Sequence, residues 1–441
     1  MSRAIRLKLD SRRRRQVSIQ GQKATLVSKR ALKGRWSRWL PLALTSTALS
    51  VVGCTSPASQ PGTGVPSQCQ QQVPAIQPVK TDILFVVDNS GSMYANQQRV
   101  ATDIPVFVDE LQKSGGVHNS FQVGVTTTSV YYAYQYYNGI FYYYYPEAGW
   151  LMTIPLLDGG VSTDRYLDDT NPELVPRFAL AMQNVGIGGS GQETPFEAAR
   201  IALEDATAPA FPDGGPANRG FLRDGARLMV VAVSDEDDCS ETDRPPLVYE
   251  NDADGENFCI DQGANLTPVG DYFTLLQNVP DGQGRNRAVV WGALAPVSLA
   301  DQSAEAVPCA NQDAGFALCN ADCPTSNAPG TRLRQMAVLF DLGLDNLYSI
   351  CADSYHDQLL ALADIAAIPQ TLALDINVPD PHLLQVTIVR ADGTDQICTV
   401  DNGGLLYDPA PDGGYPEIQF QGQCVRRQTD LQVTVRMFCA G

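Results

Sequence analysis

The run Ile83-Leu84-Phe85-Val86-Val87 is apolar without interruption and ends at an acid, Asp88. A strand-length stretch with no polar residue suits a strand covered on both faces, the setting of a sheet packed between helices. Leu228-Met229-Val230-Val231-Ala232-Val233 repeats the pattern, and 121–125, 150–156, 288–294 and 347–350 also read as strands. Between them the apolar period changes. Val100, Ile104, Phe107, Val108 and Leu111 fall at helical spacing within 93–113, and helices are also expected over 172–183, 195–204, 271–278, 332–340 and 357–367. Strands alternating with helices predict an α/β fold with a doubly wound, mostly parallel sheet and right-handed crossovers. From about residue 370 the helical period disappears. Segments 384–389, 396–400, 418–420 and 431–438 alternate as strands, with a turn at Asp392-Gly393, which predicts a small C-terminal all-β appendage.

At 441 residues the chain has room for two or three domains, and its charged fraction of 18% is low. Charge is divided unevenly. Residues 1–53 hold thirteen Lys and Arg and one acid, Asp10, or about +12. The remainder holds 31 − 13 = 18 basic and 49 − 1 = 48 acidic side chains, or −30. A body so acidic is a poor partner for nucleic acid, whose phosphates need Lys and Arg clusters.

The basic block is followed by a short apolar stretch, 39–52, and then Gly53-Cys54. The stretch is too short to span a bilayer and is about the length of a signal-peptide core. Val51-Val52-Gly53-Cys54 resembles a bacterial lipobox, in which the Cys is lipidated and becomes the first mature residue. The resemblance implies a cell-envelope lipoprotein joined to the membrane through a lipid on Cys54. Thr55, where an Asp would direct inner-membrane retention, favours the outer membrane. Residues 54–79, rich in Ser, Pro, Gly and Gln, read as the lipidated Cys and a flexible linker. The expected division is therefore a signal peptide (1–53), the linker (54–79), an α/β domain with loop insertions (80–369) and a disulfide-containing β-domain (370–441).

Ten further cysteines remain: Cys69, Cys239, Cys259, Cys309, Cys319, Cys323, Cys351, Cys398, Cys424 and Cys439. An even number in an exported chain argues for disulfides, although spacing does not fix the pairing. The pair Cys319-x-x-x-Cys323 lacks a second pair or a nearby His that would complete a zinc site; the three histidines are His118, His356 and His382.

The first buried strand runs straight into Asp88-Asn89-Ser90-Gly91-Ser92-Met93. Asp88, Ser90 and Ser92 at alternate positions offer one carboxylate and two hydroxyls at the carboxyl end of a central strand, where open α/β sheets bind ligands. Hard oxygens of this kind suit Mg²⁺, or less tightly Ca²⁺. The plainer alternative is that these residues only cap the following helix. The pattern resembles the von Willebrand factor type A (vWA) family, whose metal-ion-dependent adhesion site needs D-x-S-x-S, a later Thr opening a helix, and an Asp ending the next buried strand. Thr194, followed by Pro195, and Asp235, after Val233-Ser234, stand in those places. Glu236 replaces the Gly usual in the family. The likeness covers about residues 80–368. It implies a divalent cation held by Asp88, Ser90, Ser92, Thr194 and Asp235: Mg²⁺ first, Ca²⁺ or Mn²⁺ as alternatives. It also implies a protein partner whose acidic side chain completes the metal's coordination. Asp237 and Asp238 either face the metal and weaken that attraction, cap a loop, or hold a second cation.

Nine tyrosines lie between Tyr131 and Tyr145, around Asn138-Gly139. Asn-Gly between such residues is a hairpin signal. Tyr136, Tyr137, Tyr142 and Tyr143 are candidate ligand contacts, since exposed Tyr gives contact area at low entropic cost; packing against the protein's own loops is the competing reading. Glu250-x-Asp252-x-Asp254-Gly255 with Asp261 echoes a calcium loop but reads better as a solvated acidic loop. Catalysis has little support: Gly189-Ser190-Gly191 is not a nucleophile elbow, and no His has an evident nucleophile. The expectation is a metal-dependent binding or adhesion protein, not an enzyme. A structural or secretion-associated envelope scaffold with a structural or absent metal, and a metal-dependent hydrolase, are the rival classes.

Overall fold

The computed structural model describes the chain from Gln68 to Phe438, except 74–79, 114–118, 137–138, 209–216, 252–257, 283, 285, 309–317, 321, 324–325, 327, 369–370, 375–377, 391, 410–415, 425, 427–429 and 431. The expected signal peptide, Cys54, His118, Tyr137, Asn138, Cys309, Cys439 and the centre of the acidic loop lie outside the described residues.

The first strands are β1 (Gln68–Val73), β2 (Lys80–Val87) and, after helix α1 (Tyr94–Lys113), β3 (Ser120–Thr127). The tyrosine-rich hairpin is β4 (Tyr131–Tyr136) and β5 (Gly139–Tyr144), followed by β6 (Tyr166–Asp168). Helices α2 (Leu174–Gln183) and α3 (Pro195–Thr207) lead to β7 (Arg227–Val233), β8 (Glu250–Asn251), α4 (Phe258–Asp261) and α5 (Val269–Gln277). Then come β9 (Val289–Ala295), the short pair β10 (Ala306–Pro308) and β11 (Leu318–Asn320), α6 (Thr331–Leu339), β12 (Leu347–Ser349) and α7 (His356–Ala367). The chain closes with β13 (Thr371–Ala373), β14 (Leu384–Val389), β15 (Asp395–Thr399), β16 (Leu405–Asp408), β17 (Glu417–Phe420) and β18 (Gln432–Phe438).

The central sheet has the order β12-β9-β7-β2-β3-β6. All its neighbours are parallel except β6, which runs antiparallel to β3. The chain moves outward from β2 through β3, then returns to build β7, β9 and β12 on the other side, so the strand order reverses beside β2. Helix α1 packs against α2 and α7, α5 packs against α3 and α6, and β2 touches both α3 and α7. This double cover explains why β2 and β7 needed unbroken apolar runs: Ile83 to Val87 and Leu228 to Val233 are all fully buried. At Gly292 on β9 an added Cβ would meet the tips of the Leu362 and Met229 side chains, so the bare backbone here leaves room for α7 to pack.

A second core lies under the C-terminal strands, around Leu384, Val386, Ile388, Ile418, Phe420, Val433 and Val435. It joins a four-stranded antiparallel sheet, β1-β18-β14-β15, to a three-stranded one, β13-β17-β16. Cys398 and Cys424 form a disulfide within it. Among the described residues the α/β part carries two more, Cys239–Cys259 and Cys323–Cys351.

Two expectations need correction. Residues 150–156 do not form a strand. Their backbone only touches the end of β3, where Met152 N donates to the Val125 carbonyl at 2.7 Å and Thr126 Oγ1 to the Trp150 carbonyl at 2.9 Å. The sheet edge is taken by β6, whose Tyr166–Asp168 pair with Gly124, Val123 and Gln122. Gln68–Val73, read as part of a flexible linker, is a strand paired with β18 from Gln68↔Phe438 to Val73↔Val433. Its polar sequence hides it because a partner strand, not an apolar face, recruits it.

Candidate cation site at the carboxyl end of the sheet

Strand β2 carries an acid near each end, and the contrast between them defines the site. Asp82, near the start, is buried. Its carboxylate receives Arg223 Nε at 2.6 Å and Arg223 N at 2.7 Å, and Arg287 lies 3.5 Å away. It is a compensated charge. Asp88, just past the other end, is also fully buried, yet no basic side chain among the described residues pairs with it. Its Oδ1 accepts from Ser90 N at 2.7 Å, and its Oδ2 accepts from Ser234 Oγ at 2.7 Å.

Three loops meet around Asp88. The 88–93 turn is held by Gln97 Nε2, which donates to the Asp88 carbonyl at 2.9 Å. The 128–131 segment follows β3, and Ser129 Oγ donates to Asn89 Oδ1 at 2.7 Å. The 189–194 loop is joined to both: Gly189 N donates to the Asn89 carbonyl at 2.8 Å and Ser190 N to Ser129 Oγ at 2.8 Å. A Cβ on Gly189 would run into Asn89 Oδ1 and Ser129 Oγ, so this approach requires glycine.

Four of the five expected ligands are joined by hydrogen bonds. Ser90 Oγ and Ser92 Oγ lie 3.0 Å apart, and Ser92 Oγ donates to Asp235 Oδ1 at 3.0 Å. Asp88 reaches them through the Ser90 amide. Thr194 is fully buried at the opening of α3, and its hydroxyl donates to the Thr128 carbonyl at 2.6 Å, not to the Asp88 group. The serines do not serve as helix caps: Ser90 precedes the first helical turn without a side-chain bond to it.

Three neighbours escaped the sequence reading. Ser234 bridges Asp88 Oδ2 to the Glu236 backbone. Thr128 Oγ1 donates to Glu193 Oε2 at 2.5 Å. Glu193 is 1% exposed, and its Oε1 has no hydrogen-bond partner among the described residues. An acid directly before Thr194, in a loop otherwise free of charge, was the available signal. Burial, and then the nearby charges of Asp88 and Glu236, push Glu193 well above the usual carboxylate range. Burial also raises Asp88, and burial together with Asp88 raises Asp235 to about 7. A buried acidic cluster with no basic partner holds protons or a cation. The carboxylates and hydroxyls of Asp88, Asp235, Ser90 and Ser92 are the hard oxygens that divalent cations take. Among the described residues no three Asp, Glu, His or Cys side chains converge on one point, so hydroxyls are essential to any such site.

Asp237 and Asp238 are resolved as caps. Asp237 accepts from Arg332 N at 2.9 Å and Leu333 N at 3.4 Å, in the first turn of α6. Asp238 accepts from Phe196 N at 3.2 Å in the first turn of α3 and from Arg332 Nε at 2.9 Å. Both acids satisfy helix N-termini, which leave amides without internal partners.

The hairpin adjoins the site. Gln192 Oε1 accepts from Ala133 N at 3.0 Å, and Ser190 Oγ donates to the Tyr131 carbonyl at 2.9 Å. Arg244, paired with Glu197, sits 5.3 Å from the Tyr131 ring centre and 5.9 Å from that of Tyr144. Of the candidate contacts, Tyr136 (48%), Tyr142 (38%) and Tyr143 (52%) are exposed, while Tyr131 is buried with its hydroxyl on the Cys239 carbonyl. Packing against the protein's own loops thus holds for Tyr131, while the other three rings stand exposed.

No family model matches the chain, and no curated protein is similar to it. Among solved structures, it is similar to proximal thread matrix protein 1 from the mussel byssus, at 14% identity and a TM-score of 0.32, over 69% of this chain and 51% of that one. It is also similar to the pilus adhesin SpaC from Lactobacillus rhamnosus GG, at 14% identity and a TM-score of 0.31, over 83% and 39%. The type V pili tip protein Mfa5 from Porphyromonas gingivalis follows at 11% identity and a TM-score of 0.26, over 82% and 62%. The chain spans about half or less of the first two. Likeness this slight assigns neither fold family nor activity.

Proposed function

We propose that the chain is a cell-envelope lipoprotein, anchored through Cys54 at the outer membrane, whose α/β domain is of vWA type and binds a protein partner through a divalent cation. It acts as a binding or adhesion protein and not as an enzyme. The observation that carries this reading is the assembly of Asp88, Ser90, Ser92 and Asp235 in one hydrogen-bonded group at the carboxyl ends of β2 and β7, with no basic partner among the described residues. Beside them Thr194 opens a helix whose first turn is capped from the loop after β7. Mg²⁺ is the first choice of cation, with Ca²⁺ or Mn²⁺ next. Asp88, Ser90, Ser92, Thr194 and Asp235 would hold it, and when bound it would supply a Lewis-acidic position for a partner's oxygen, an acidic side chain above all.

One observation favours the scaffold reading. Both Asp88 oxygens and the Thr194 hydroxyl already have protein hydrogen bonds, so the fold does not depend on a metal to satisfy them. Melting with Mg²⁺ and with EDTA separates the two. Binding to the native state stabilises it by mass action, about 2.7 kcal/mol at a hundredfold excess over Kd. The binding reading expects a melting temperature raised by Mg²⁺ in the wild type, a folded protein in EDTA, and no metal response in Asp88→Ala. A melting temperature indifferent to Mg²⁺, Ca²⁺, Mn²⁺ and EDTA would leave the metal-free scaffold.

A further inference from the structure

Strand β2 lies between β3 and β7 in the central sheet, and Glu193 is tied to the segments that leave both neighbours. On the β3 side, Thr128 Oγ1 donates to Glu193 Oε2 at 2.5 Å. On the β7 side, Cys239 N donates to the Glu193 carbonyl at 2.6 Å. The residue therefore spans the carboxyl end of β2, where Asp88 sits. Thr128 locks the arrangement. Its amide donates to the Val87 carbonyl at 3.2 Å, and its carbonyl accepts from the Thr194 hydroxyl at 2.6 Å. One residue thus fixes Glu193, Thr194 and the end of β2 together.

This position gives Glu193 one committed oxygen and one idle one. Oε2 is taken by Thr128, while Oε1 is buried and has no hydrogen-bond partner among the described residues. A buried polar atom left unmet costs free energy. The fold has the means to avoid that cost. Glu197, a turn further along the chain and fully buried, is met by Arg200, Arg244 and the Tyr272 hydroxyl. The charges that act most on Glu193 are instead those of Asp88, Glu236 and Asp235, all of them acids. A positive group on the Asp88 side is what such a position suits. Among the described residues no three acids, His or Cys converge on one point, so Glu193 stands outside the inner ligand set. An outer carboxylate acts on the waters that a cation carries. Mg²⁺ gives up its waters reluctantly, whereas Ca²⁺ takes protein oxygens directly and in varied geometry.

We infer that Glu193 is an outer residue of the cation site, whose Oε1 accepts a hydrogen bond from a water on the bound cation and so favours Mg²⁺, which keeps its waters, over Ca²⁺. The inference rests on the reading of Asp88 and its neighbours as a cation site. Outer partners of this kind typically contribute about 10- to 100-fold to metal affinity.

The test is calorimetric titration of the whole chain with Mg²⁺ and with Ca²⁺, for wild type, Glu193→Gln and Asp88→Ala, each shown to be folded by thermal melting in EDTA. Gln fills the same volume but replaces a charged acceptor with a neutral, weaker one. The expected result is that Glu193→Gln loses about tenfold in Mg²⁺ affinity and no more than about threefold in Ca²⁺ affinity, while Asp88→Ala binds neither ion. A merely structural role for Glu193 would move both ions alike. Glu193→Gln that binds Mg²⁺ as wild type does, or that loses both ions equally, overturns the inference; with binding still abolished in Asp88→Ala, the cation site itself then stands. A wild type that binds neither ion overturns the cation site and this inference together.

Discussion

Asp82 lies within β2 and Asp88 just past its end, and the molecule treats these two like side chains differently. Two arginines compensate Asp82; Asp88 has hydroxyls, an amide and the neighbouring acid Glu193. The sequence shows both acids and the serines, but not which arginine returns from another part of the chain to which acid. Arg223 and Arg287 reach Asp82 from far along the sequence, which is why the compensation was not legible and the motif at Asp88 was. Glu193 is the sharper case. Its folded-state pKa is raised by burial and then by Asp88, so the folded chain holds this proton to higher pH than the unfolded chain does, and stability falls as pH rises from the ordinary carboxylate range towards its folded value. Glu193→Gln keeps the shape and an acceptor for Thr128 while removing the charge. In EDTA at pH 8 it should be more stable than wild type by about 1–3 kcal/mol in urea unfolding. A loss of stability would mean that the Glu193 charge is compensated in the fold.

Element by element, buried strands and amphipathic helices were the most legible features. Their apolar periods are imposed by the central sheet and its two helical covers. What stayed hidden was pairing that leaves no apolar trace. The polar strand β1 is held by β18, and the short β6 displaced the more apolar 150–156 because edge position is decided by backbone pairing. The α1–α7 contact hides another such feature, a carboxyl pair. Burial, and then Glu110, raise Asp364 to about 7. The folded state therefore holds this proton between about pH 4 and 7, where the unfolded state releases it, and the contribution is lost as pH rises through that window. Asp364→Asn should flatten the decline in stability from pH 4 to 7, by on the order of 1 kcal/mol after allowance for the pair's partial exposure. Chemical unfolding at three pH values checks it, and an unchanged slope would place the pH dependence elsewhere.

For the whole molecule, charge distribution and topology act together. The body is strongly acidic, and strand order reverses beside β2, where Asp88 and Asp235 lie at the carboxyl ends of neighbouring parallel strands. Alternating elements made the α/β layout and the β-rich C-terminus legible from the sequence. The aromatic hairpin was legible as a hairpin, but its open edge was not, because a free edge is a property of the assembled sheet. Isothermal calorimetry is the measurement that tests the cation site. Mg²⁺ and Ca²⁺ titrated into the wild type should bind at one site with micromolar to millimolar affinity, and Asp88→Ala and Thr194→Ala, still folded, should bind neither. No heat of binding in a folded wild type, or equal binding in both variants, would contradict it.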